Sequence, residues 1–563
     1  MKERRHFDAI VVGSGISGGW AAKELTAHGL ETLVLEAGRP VDPAHDYVEH
    51  VQPYEVPFRV WGKRTPQKAR QPIQSECYAC DELGSRFFVD DLDNPYTHPE
   101  DAPFAWFRGR QLGGRSITWG RQVYRWSDLD FEANARDGHG NDWPIRYADL
   151  APWYGHVERF IGVSGQTEGL SQLPDGEFLP PMAMTAVERA ARERIGAAFH
   201  GERVLTIGRA AILTAAHGGR AACHYCGPCP RGCITHSYFN SLGSTLPAAR
   251  ATGRLTLQTN SVVAELLHDP ARRRVTGVRV VDAVTRQDRE YRARVVFLCA
   301  SAIESVRLLL NSGGPRHPEG LANSSGLLGR YVMDHHYGSG ARGTMPGFED
   351  RTTFGRRPNG IYVARFRNVA RPHPEFLRGY GMQGGSSRSD WQRGYAQPGF
   401  GAEFKRQLIG EPGPWSLGLS GWGETLPHPD NRVSLDPVVK DRWGIPAARI
   451  AVRWGANEQA MDRDMATAAA EMLEAAGATD IETHLSTNPP GHCIHEMGGA
   501  RMSHQPADGV LNRWNQAWDL PNLFVTDGAC MASSACQNPS ITYMALTARA
   551  ADHAARELRR RAL

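Results

Sequence analysis

The sequence predicts an α/β dinucleotide-binding domain of the Rossmann type, built from discontinuous segments, and a second α+β domain that contains a β-sheet. A strand, a glycine-rich turn, a helix and another strand follow one another within the first 36 residues. A further strand–helix unit lies near residue 300. Residues 331–490 instead alternate between short strands and loops rich in Gly, Pro, Trp and Arg.

The composition indicates a globular protein with more than one core. A chain of 563 residues is too long for a single ordinary core and suits two domains. The net charge of +3 gives no strong electrostatic attraction to nucleic acid or to an anionic membrane. No uncharged run approaches the length of about 18 apolar residues that a membrane span needs. We therefore expect no nucleic-acid partner and no membrane span.

The N-terminal unit contains a turn with G-x-G-x-x-G spacing after the apolar run 7–12. The turn residues are Gly13, Ser14, Gly15, Ile16, Ser17 and Gly18. In such a unit Gly13 permits the tight turn, Gly15 lets the backbone approach a pyrophosphate, and Gly18 lets the helix pack on the strand. The helix N-terminus then faces the phosphates.

The elements after this turn complete the pattern. A helix is predicted at 20–25, Gly29 ends it, and a strand follows at 32–35. Glu36 comes 21 residues after Gly15, where a carboxylate can accept hydrogen bonds from a ribose. The order of strand, glycines, helix, strand and acid predicts dinucleotide binding. It does not decide between FAD and NAD, although a position near the start of the chain favours FAD.

The later part of the chain predicts further strands. Residues 255–266 and 275–282 suggest paired strands joined by a charged turn at 269–274, and 295–298 suggests a buried strand that leads into a helix at 304–310. In the second domain, 415–419 and 449–452 are predicted strands, covered by a helix at 458–476. Near the end, a strand at 523–525 and a helix at 540–549 are predicted.

Three motifs resemble the glucose–methanol–choline (GMC) family of FAD oxidoreductases. They are the N-terminal unit, the glycine-rich stretch 110–120 (RQLGGRSITWG), and a C-terminal series of His495, Gly499, Met502, Asp527, Gly528, Asn538 and Pro539. With the Ala-Ser-Ala sequence at 300–302, these motifs span nearly the whole chain. The opening turn and the run 143–150 (WPIRYADL) resemble the bacterial branch with glucoside 3-dehydrogenase and the large subunits of fructose and gluconate dehydrogenases, next to the pyranose oxidases.

The resemblance implies a GMC fold with a discontinuous FAD-binding domain and a substrate domain. The expected FAD-binding segments are 1–45, 100–142, 222–330 and 490–563. The expected substrate-binding and lid segments are 46–99, 143–221 and 331–489. The residues implied to contact FAD are Gly13, Gly15, Ile16, Ser17, Gly18, Glu36, Gly113, Gly114, Ser116, Thr118, Trp119, Val263, Ala300, Ser301, Asp527, Gly528, Pro539 and Ser540.

The same resemblance says how FAD is held. Asp527 and Gly528 would pack by the ribityl chain and pyrophosphate, and the helix after Pro539 would aim its positive N-terminus at the flavin N1–O2 edge. Pyranose oxidases carry a histidine before the tryptophan of the glycine-rich loop and attach FAD through it. This sequence has Thr118 before Trp119, so we expect non-covalent FAD.

The resemblance also implies a catalytic pair. By position, His495 matches the active-site histidine of the family and Asn538 its second catalytic position. A neutral histidine can take the hydroxyl proton of an alcohol, whereas the Asn538 amide cannot titrate and would hold the substrate oxygen. Without the resemblance, these would be a core histidine and a turn residue. His335 and His336 are expected to be structural.

Four cysteines lie close together at Cys223, Cys226, Cys229 and Cys233. Their spacing is that of bacterial ferredoxin ligands, while tetrahedral zinc and free thiols are the alternatives. Related sugar dehydrogenases carry an iron–sulfur cluster in a corresponding loop. Those with three ligands there hold a three-iron cluster, and Cys223, Cys229 and Cys233 match these three ligands. The fourth cysteine favours [4Fe-4S], with [3Fe-4S] still open. The separate C-x2-C at 77–80 is expected to be a pair of ordinary thiols.

Together these features predict an FAD-dependent sugar dehydrogenase that oxidises a glucoside or pyranoside hydroxyl, most simply at C3. The alternatives are another polyol or sugar-acid dehydrogenase of the branch, or an oxygen-using pyranose or glycoside oxidase. A non-catalytic flavin carrier is disfavoured because it needs no alcohol base, and a zinc-bearing nucleic-acid binder because no basic stripe lies near residue 230.

A cluster beside a flavin favours electron transfer to a protein, so a c-type cytochrome or another acceptor and a small companion subunit are the expected partners. The twin arginine Arg4-Arg5 precedes only a short apolar run that is predicted as a strand. We therefore expect no signal peptide on this chain. A periplasmic location would follow from export with a signal-bearing partner, and a cytoplasmic location otherwise.

Overall fold

The computed structural model describes residues 6–51, 55, 65–314, 317–390, 393–394 and 396–563. The Arg4-Arg5 pair lies outside the described residues. The strands are β1 (His6–Val12), β2 (Thr32–Leu35), β3 (Leu205–Ile207), β4 (Leu255–Gln258), β5 (Ser261–Asp269), β6 (Arg274–Asp282), β7 (Asp288–Leu298), β8 (His336–Met345), β9 (Ile361–Val363), β10 (Tyr380–Arg388), β11 (Trp415–Gly423), β12 (Arg432–Lys440), β13 (Pro446–Ala451), β14 (Thr479–His484) and β15 (Leu523–Val525).

The helices lie between and after these strands along the chain, several of them in succession. They are α1 (Ile16–Ala27), α2 (Pro43–Asp46), α3 (Thr65–Arg70), α4 (Asp128–Phe131), α5 (Ala133–Asp137), α6 (Tyr147–Ile161), α7 (Ala186–Ala198), α8 (Thr245–Ala251), α9 (Ala302–Asn311), α10 (Gly401–Gly410), α11 (Ala456–Ala475) and α12 (Ser540–Arg559). Within the described part of the chain, no helix is both long enough and apolar enough to cross a membrane.

The first sheet is the predicted Rossmann-type sheet, and its discontinuous origin is confirmed. Its strand order is β4-β2-β1-β7-β6-β5, with β15 beside the second half of β7. Strands β1, β2, β4 and β15 run parallel to that half of β7. The first half of β7 pairs antiparallel with β6 instead. Helices α1 and α12 pack against each other beside this sheet.

One strand assignment from the sequence is wrong. Residues 255–266 do not form one strand: the chain breaks after Gln258, and Asn260 has a φ of +55°. Asparagine tolerates this left-handed conformation, which turns the chain. Consequently β4 joins β2 in the parallel part of the sheet, while β5 alone pairs antiparallel with β6. The predicted turn between β5 and β6 is confirmed.

The second sheet carries the other domain. Its order is β14-β8-β11-β10-β9-β3, and neighbouring strands are antiparallel. The predicted covering helix is confirmed as α11, which packs its buried methionines Met461, Met465 and Met472 against β8 and β11. Strands β12 and β13 form a separate two-stranded ribbon.

Candidate active site

A cavity of about 500 Å³ lies between the two sheets, within the usual size range of ligand sites. The carboxyl ends of β1 and β2 line one side, and residues of β8, β10 and β11 line the other. The structure brings most of the residues singled out from the sequence to this cavity. These are Gly13, Gly15, Ile16, Ser17, Glu36, Gly114, Ser116, Thr118, Trp119, Val263, Ala300, Ser301, His495, Asp527, Gly528, Asn538, Pro539 and Ser540.

The glycine turn is shaped by close backbone packing. Gly13 has a φ of +96°, and a Cβ there would lie 2.4 Å from the carbonyl oxygen of Cys299. Gly18 does not line the cavity. It lets helix α1 pack closely on the turn, because a Cβ at this position would lie 2.0 Å from the Gly13 carbonyl oxygen. Gly15 instead has nothing within 4 Å of its Cβ position. The turn therefore leaves open space where a phosphate group could approach the N-terminus of α1.

Glu36 is buried at the end of β2 and is tied to the glycine turn. Its carboxylate accepts hydrogen bonds from the backbone nitrogen of Ser14 (3.1 Å), from the Ser14 hydroxyl (2.5 Å) and from the Gly38 nitrogen (2.8 Å). Burial raises the pKa of Glu36, and these hydrogen bonds oppose that change. The Ser14 hydroxyl accepts in turn from the Gly113 nitrogen at 2.9 Å. Gly113 does not line the cavity. Its left-handed φ of +87° and its bond to Ser14 position the glycine-rich loop.

The rest of that loop and the end of β15 close the cavity. The Trp119 indole donates to the Phe239 carbonyl at 2.9 Å. Asp527 accepts from the Ser305 hydroxyl at 2.5 Å and from the Ser301 nitrogen at 3.1 Å, and burial raises its pKa to about 6. Helix α12 starts at Ser540 beside the cavity, so its partial positive charge favours an anionic group there.

His495 and Asn538 lie side by side in the cavity, as the sequence predicted for a catalytic pair. The Nε2 atom of His495 is 3.3 Å from Nδ2 of Asn538. The Asn538 oxygen accepts from the Gln383 amide at 2.8 Å, which leaves the Asn538 amide nitrogen facing the histidine. Burial lowers the pKa of His495 well below 6.5, and the positive charge of Arg115 acts in the same direction. His495 is therefore neutral at neutral pH and able to accept a proton.

Two further side chains contact His495 and were not assigned to the site from the sequence. His335 places its Nδ1 atom 3.0 Å from the His495 Nδ1 atom, and the Cys493 sulfur lies 3.3 Å from the same atom. His335 was expected to be structural, but it is in direct contact with the candidate base. The sequence signal was slight: an acid and two histidines stand together at the start of β8.

The cavity also has an aromatic wall of Tyr337, Trp422 and His492. The Tyr337 ring lies 5.3 Å from that of Trp422 and 5.9 Å from that of His492, measured between centroids. The Tyr337 hydroxyl also contacts His492 Nδ1 at 2.7 Å. Such a wall offers flat apolar faces next to polar tips, which suits a ligand with both C–H and O–H groups.

The four clustered cysteines line a second, small cavity of about 20 Å³. All four are free of disulfide bonds, and positive φ angles of +97° at Gly227 and +104° at Gly232 curl their loop. In the described part of the chain, the group with three potential metal-ligating atoms within 4.8 Å of one another is His335, Cys493 and His495. No three of the four clustered cysteine sulfurs lie within 4.8 Å of one another.

One tyrosine connects the two cavities. The buried Tyr238 lines the cysteine cavity, and its hydroxyl donates to the carbonyl oxygens of Ile117 (2.5 Å) and Cys229 (3.3 Å). Ile117 belongs to the glycine-rich loop of the main cavity. Arg121 lines the main cavity and lies over the Tyr238 ring at 5.5 Å. Burial raises the pKa of Cys229, and the Arg121 charge counteracts this.

The comparison with known proteins decides the family. The GMC oxidoreductase family matches residues 7–337 with its N-terminal domain and residues 427–547 with its C-terminal domain. The chain is a GMC oxidoreductase. It is similar to 2-methyl-1,2-propanediol dehydrogenase of Mycolicibacterium austroafricanum, with 30% identity over 98% of this chain and 95% of that protein. It is also similar to the fructose dehydrogenase large subunit of Gluconobacter japonicus, with 26% identity over 97% of each.

Solved structures agree on the fold of this GMC oxidoreductase. A formate oxidase variant from Aspergillus oryzae RIB40 superposes with a TM-score of 0.63 at 14% identity over the full length of both chains. Family membership makes the protein an FAD-dependent oxidoreductase of alcohol or sugar donors. The cavity fits that cofactor, because Gly15 leaves space for a pyrophosphate and the buried carboxylate of Glu36 lines the same cavity, where it could accept hydrogen bonds from a ribose.

Proposed function

We propose that this GMC oxidoreductase is the catalytic subunit of a sugar dehydrogenase that oxidises a glucoside or related pyranoside hydroxyl, at C3, to a keto sugar. The observation that carries this proposal is the pairing of His495 and Asn538 in the cavity that the aromatic wall also lines. FAD, when bound, supplies the hydride acceptor. Two electrons and a hydrogen leave the sugar carbon as hydride, while the hydroxyl proton goes to Nε2 of His495, so that the C–O single bond becomes a carbonyl.

The protein residues divide the work in this reaction. Nε2 of His495 accepts the hydroxyl proton. Nδ2 of Asn538, held by Gln383, donates a hydrogen bond to the substrate oxygen and keeps it near the base. The aromatic wall supports the C–H face of the pyranose ring and excludes water from the reacting carbon. The N-terminus of α12 favours the negative charge that arrives with the hydride.

The relatives support an alcohol substrate with neighbouring hydroxyl groups. One is named for fructose and another for a 1,2-propanediol. Another polyol or sugar-acid dehydrogenase reaction, or an oxygen-using pyranose or glycoside oxidase, is the alternative to glucoside oxidation.

The substrate proposal is tested by product analysis. Purified protein is incubated with methyl β-D-glucopyranoside and an artificial electron acceptor, and the product is examined for a C3 ketone by NMR. His495→Ala should retain FAD and lose turnover by about 10²–10⁴-fold, whereas Asn538→Ala should chiefly raise KM. Oxidation of fructose or a 1,2-diol with no glucoside turnover would move the assignment to the alternative. Normal turnover by His495→Ala with its flavin in place would refute the role of His495 as the base.

We further propose that Cys223, Cys226, Cys229 and Cys233 hold an iron–sulfur cluster, [4Fe-4S] in preference to [3Fe-4S]. The support is the donor set: four thiols free of disulfides line one cavity. Tetrahedral zinc with bonds of about 2.3 Å would place all four sulfur ligands about 3.8 Å apart, whereas no three of these sulfurs lie within 4.8 Å of one another. A cluster would supply a one-electron carrier between the flavin and a protein acceptor.

The partners proposed for this enzyme are a c-type cytochrome or another electron acceptor and a small companion subunit. The name of the fructose relative identifies that protein as a large subunit, which supports a companion here. Export with a signal-bearing companion would give a periplasmic location. Co-purification of the chain with a signal-bearing subunit expressed beside it would test this arrangement.

The cluster is tested by metal analysis of two cysteine variants. The wild-type protein, purified without oxygen, should contain iron and acid-labile sulfide but no zinc. Cys229→Ser should lose both and still bleach its flavin once when given substrate, yet fail to reduce a cytochrome. Cys226→Ser keeps the three cysteines of a three-iron site and should retain part of the iron. Flavin content is measured first, since loss of FAD would mimic failed electron transfer. Stoichiometric zinc without iron would overturn the cluster.

A further inference from the structure

We propose that His335 is a positioning residue that fixes the tautomer of His495, so that the bare Nε2 atom of His495 faces the substrate. This inference rests on the proposed base role of His495. It concerns a residue that does not line the cavity and does not touch the substrate.

The hydrogen-bond chain begins at a backbone carbonyl. Nε2 of His335 lies 3.0 Å from the carbonyl oxygen of Ser534. A carbonyl oxygen only accepts, so this ring nitrogen carries the hydrogen. His335 is fully buried, and burial lowers its pKa to about 4. The ring is therefore neutral near neutral pH, and its other nitrogen, Nδ1, carries no hydrogen.

The second link transmits this choice to His495. The two Nδ1 atoms are 3.0 Å apart, and the rings stand nearly perpendicular at 83°. Because the His335 atom has no hydrogen, the His495 Nδ1 atom must donate. A neutral imidazole carries a single N–H, so the Nε2 atom of His495 is left with a free lone pair. That atom faces Asn538 and the cavity.

Among the residues that the structure describes, no other neighbour of the His495 ring supplies an equally strong acceptor at Nδ1. The Cys493 sulfur lies 3.3 Å away, but a sulfur accepts weakly, and burial keeps the thiol neutral by raising its pKa well above 9. Asp334 accepts the backbone nitrogen of His495 at 2.9 Å rather than its ring. The strongest hydrogen bond at Nδ1 of His495 is therefore the one to Nδ1 of His335.

Other charged groups face the pair, but they do not reverse this choice. Arg115 lines the cavity and is paired with the buried Glu496 at 2.8 Å, and its charge further lowers the pKa of His495. On the other side, His336 contacts Asp462 on α11 at 3.0 Å. Burial and Glu496 raise the pKa of Asp334 to about 7. Arg115 changes how easily His495 is protonated, whereas His335 decides which ring nitrogen of His495 carries the hydrogen.

The consequence for catalysis follows from the geometry. If the Nε2 atom of His495 carried the hydrogen, it would point a donor at the substrate hydroxyl and could not remove its proton. With His335 in place, Nε2 accepts the proton, and the Nδ1 hydrogen stays on the bond to His335. Loss of the correct histidine tautomer in other enzymes costs about 10⁴-fold in kcat.

Two substitutions of His335 separate this role from packing. In His335→Asn, the side-chain oxygen takes the place of Nδ1 and can still accept from His495. In His335→Gln, the terminal nitrogen takes the place of Nε2 and can still donate to Ser534, but the acceptor is lost. Glutamine fills the site better than asparagine. A structural role therefore predicts that Gln is tolerated better, whereas a tautomer role predicts the reverse.

The rate of flavin reduction by methyl β-D-glucopyranoside is measured anaerobically over pH 5–9, after FAD content has been checked. We expect His335→Asn to stay within about tenfold of wild type and His335→Gln to fall by about 10²–10⁴-fold. Histidine ¹⁵N NMR, with the His495 signals identified by their loss in His495→Gln, should show hydrogen on Nδ1 in wild type and His335→Asn, and on Nε2 in His335→Gln.

Equal rates in both variants, a faster Gln variant, or an Nε2–H tautomer in the wild type would overturn the inference. So would a stoichiometric metal ion that both variants lose, since His335, Cys493 and His495 would then be its ligands. If methyl glucoside does not reduce wild-type flavin, the substrate proposal fails, while the NMR experiment still tests the tautomer. If His495→Gln reduces its flavin normally, the base role itself fails.

Discussion

The neutral state of His335 has a measurable consequence for stability in acid. Its pKa is 6.5 ordinarily and about 4 in the folded protein, where burial disfavours the charged ring. Below pH 6.5 the unfolded chain binds a proton that the folded chain does not bind. The stability that the neutral ring contributes is therefore lost as the pH falls from 6.5 towards 4. At pH 5.0 the loss is about 1.5 pH units at 1.36 kcal/mol each, or about 2 kcal/mol.

The comparison with His335→Asn isolates this amount. The raised pKa values of Asp334 and Asp527 give the opposite dependence on pH, because these buried carboxyls bind protons in the folded state, but they are present in both proteins. Urea-induced unfolding of wild type and variant is measured at pH 7.5 and pH 5.0 with saturating FAD. The wild type should lose about 2 kcal/mol more than the variant between the two pH values. Equal losses would show that His335 is not held neutral, and the tautomer argument would lose its first step.

Three further outcomes are expected. Acid precipitation of the holoenzyme should release all FAD, because Thr118 offers no ring nitrogen for a covalent bond; flavin in the pellet would contradict this. Gly13→Ala should lose FAD fluorescence on purification, since a methyl group would lie 2.4 Å from the Cys299 carbonyl oxygen, and full FAD occupancy would refute that reading. Tyr238→Phe should speed hydrogen exchange in the cysteine loop, because the carbonyls of Cys229 and of the buried Ile117 lose their donor at a cost of about 1–3 kcal/mol; unchanged exchange would show that the Tyr238 hydroxyl does not hold this loop.

The parts that the sequence predicted well are those with local causes. Gly18 packs on the Gly13 carbonyl five residues away, and Gly15 leaves the turn open, so the spacing of the glycines specifies the local unit. The close contact of Gly13 with the Cys299 carbonyl links distant parts of the chain and is not contained in that spacing. The strand at 523–525 and the start of α12 after Pro539 follow from an apolar run and from proline at a helix start. The family resemblance then placed Asp527, His495 and Asn538 at the same cavity.

The parts that it did not predict depend on contacts across the chain. His335 and His495 are separated by 160 residues, and Gln383 and Asn538 by 155, so no periodicity or spacing connects them. The break between β4 and β5 rests on a single left-handed residue, Asn260, which an apolar pattern does not show. Most of the secondary structure could be predicted from residues adjacent in the sequence. The residues that contact His495 and Asn538 could be identified only in the folded structure.

The packing of α1 against α12 and the pairing of β7 with β15 also have a consequence for folding during biosynthesis. The ribosome makes the glycine turn first, but β15 and α12 emerge some 500 residues later, and they bring Asp527 and Asn538 with them. A nascent chain therefore presents a nucleotide turn with one wall of its cavity missing. We therefore expect stable FAD binding only after β15 and α12 have been made, and a chain that ends before α12 would leave α1 without this packing partner.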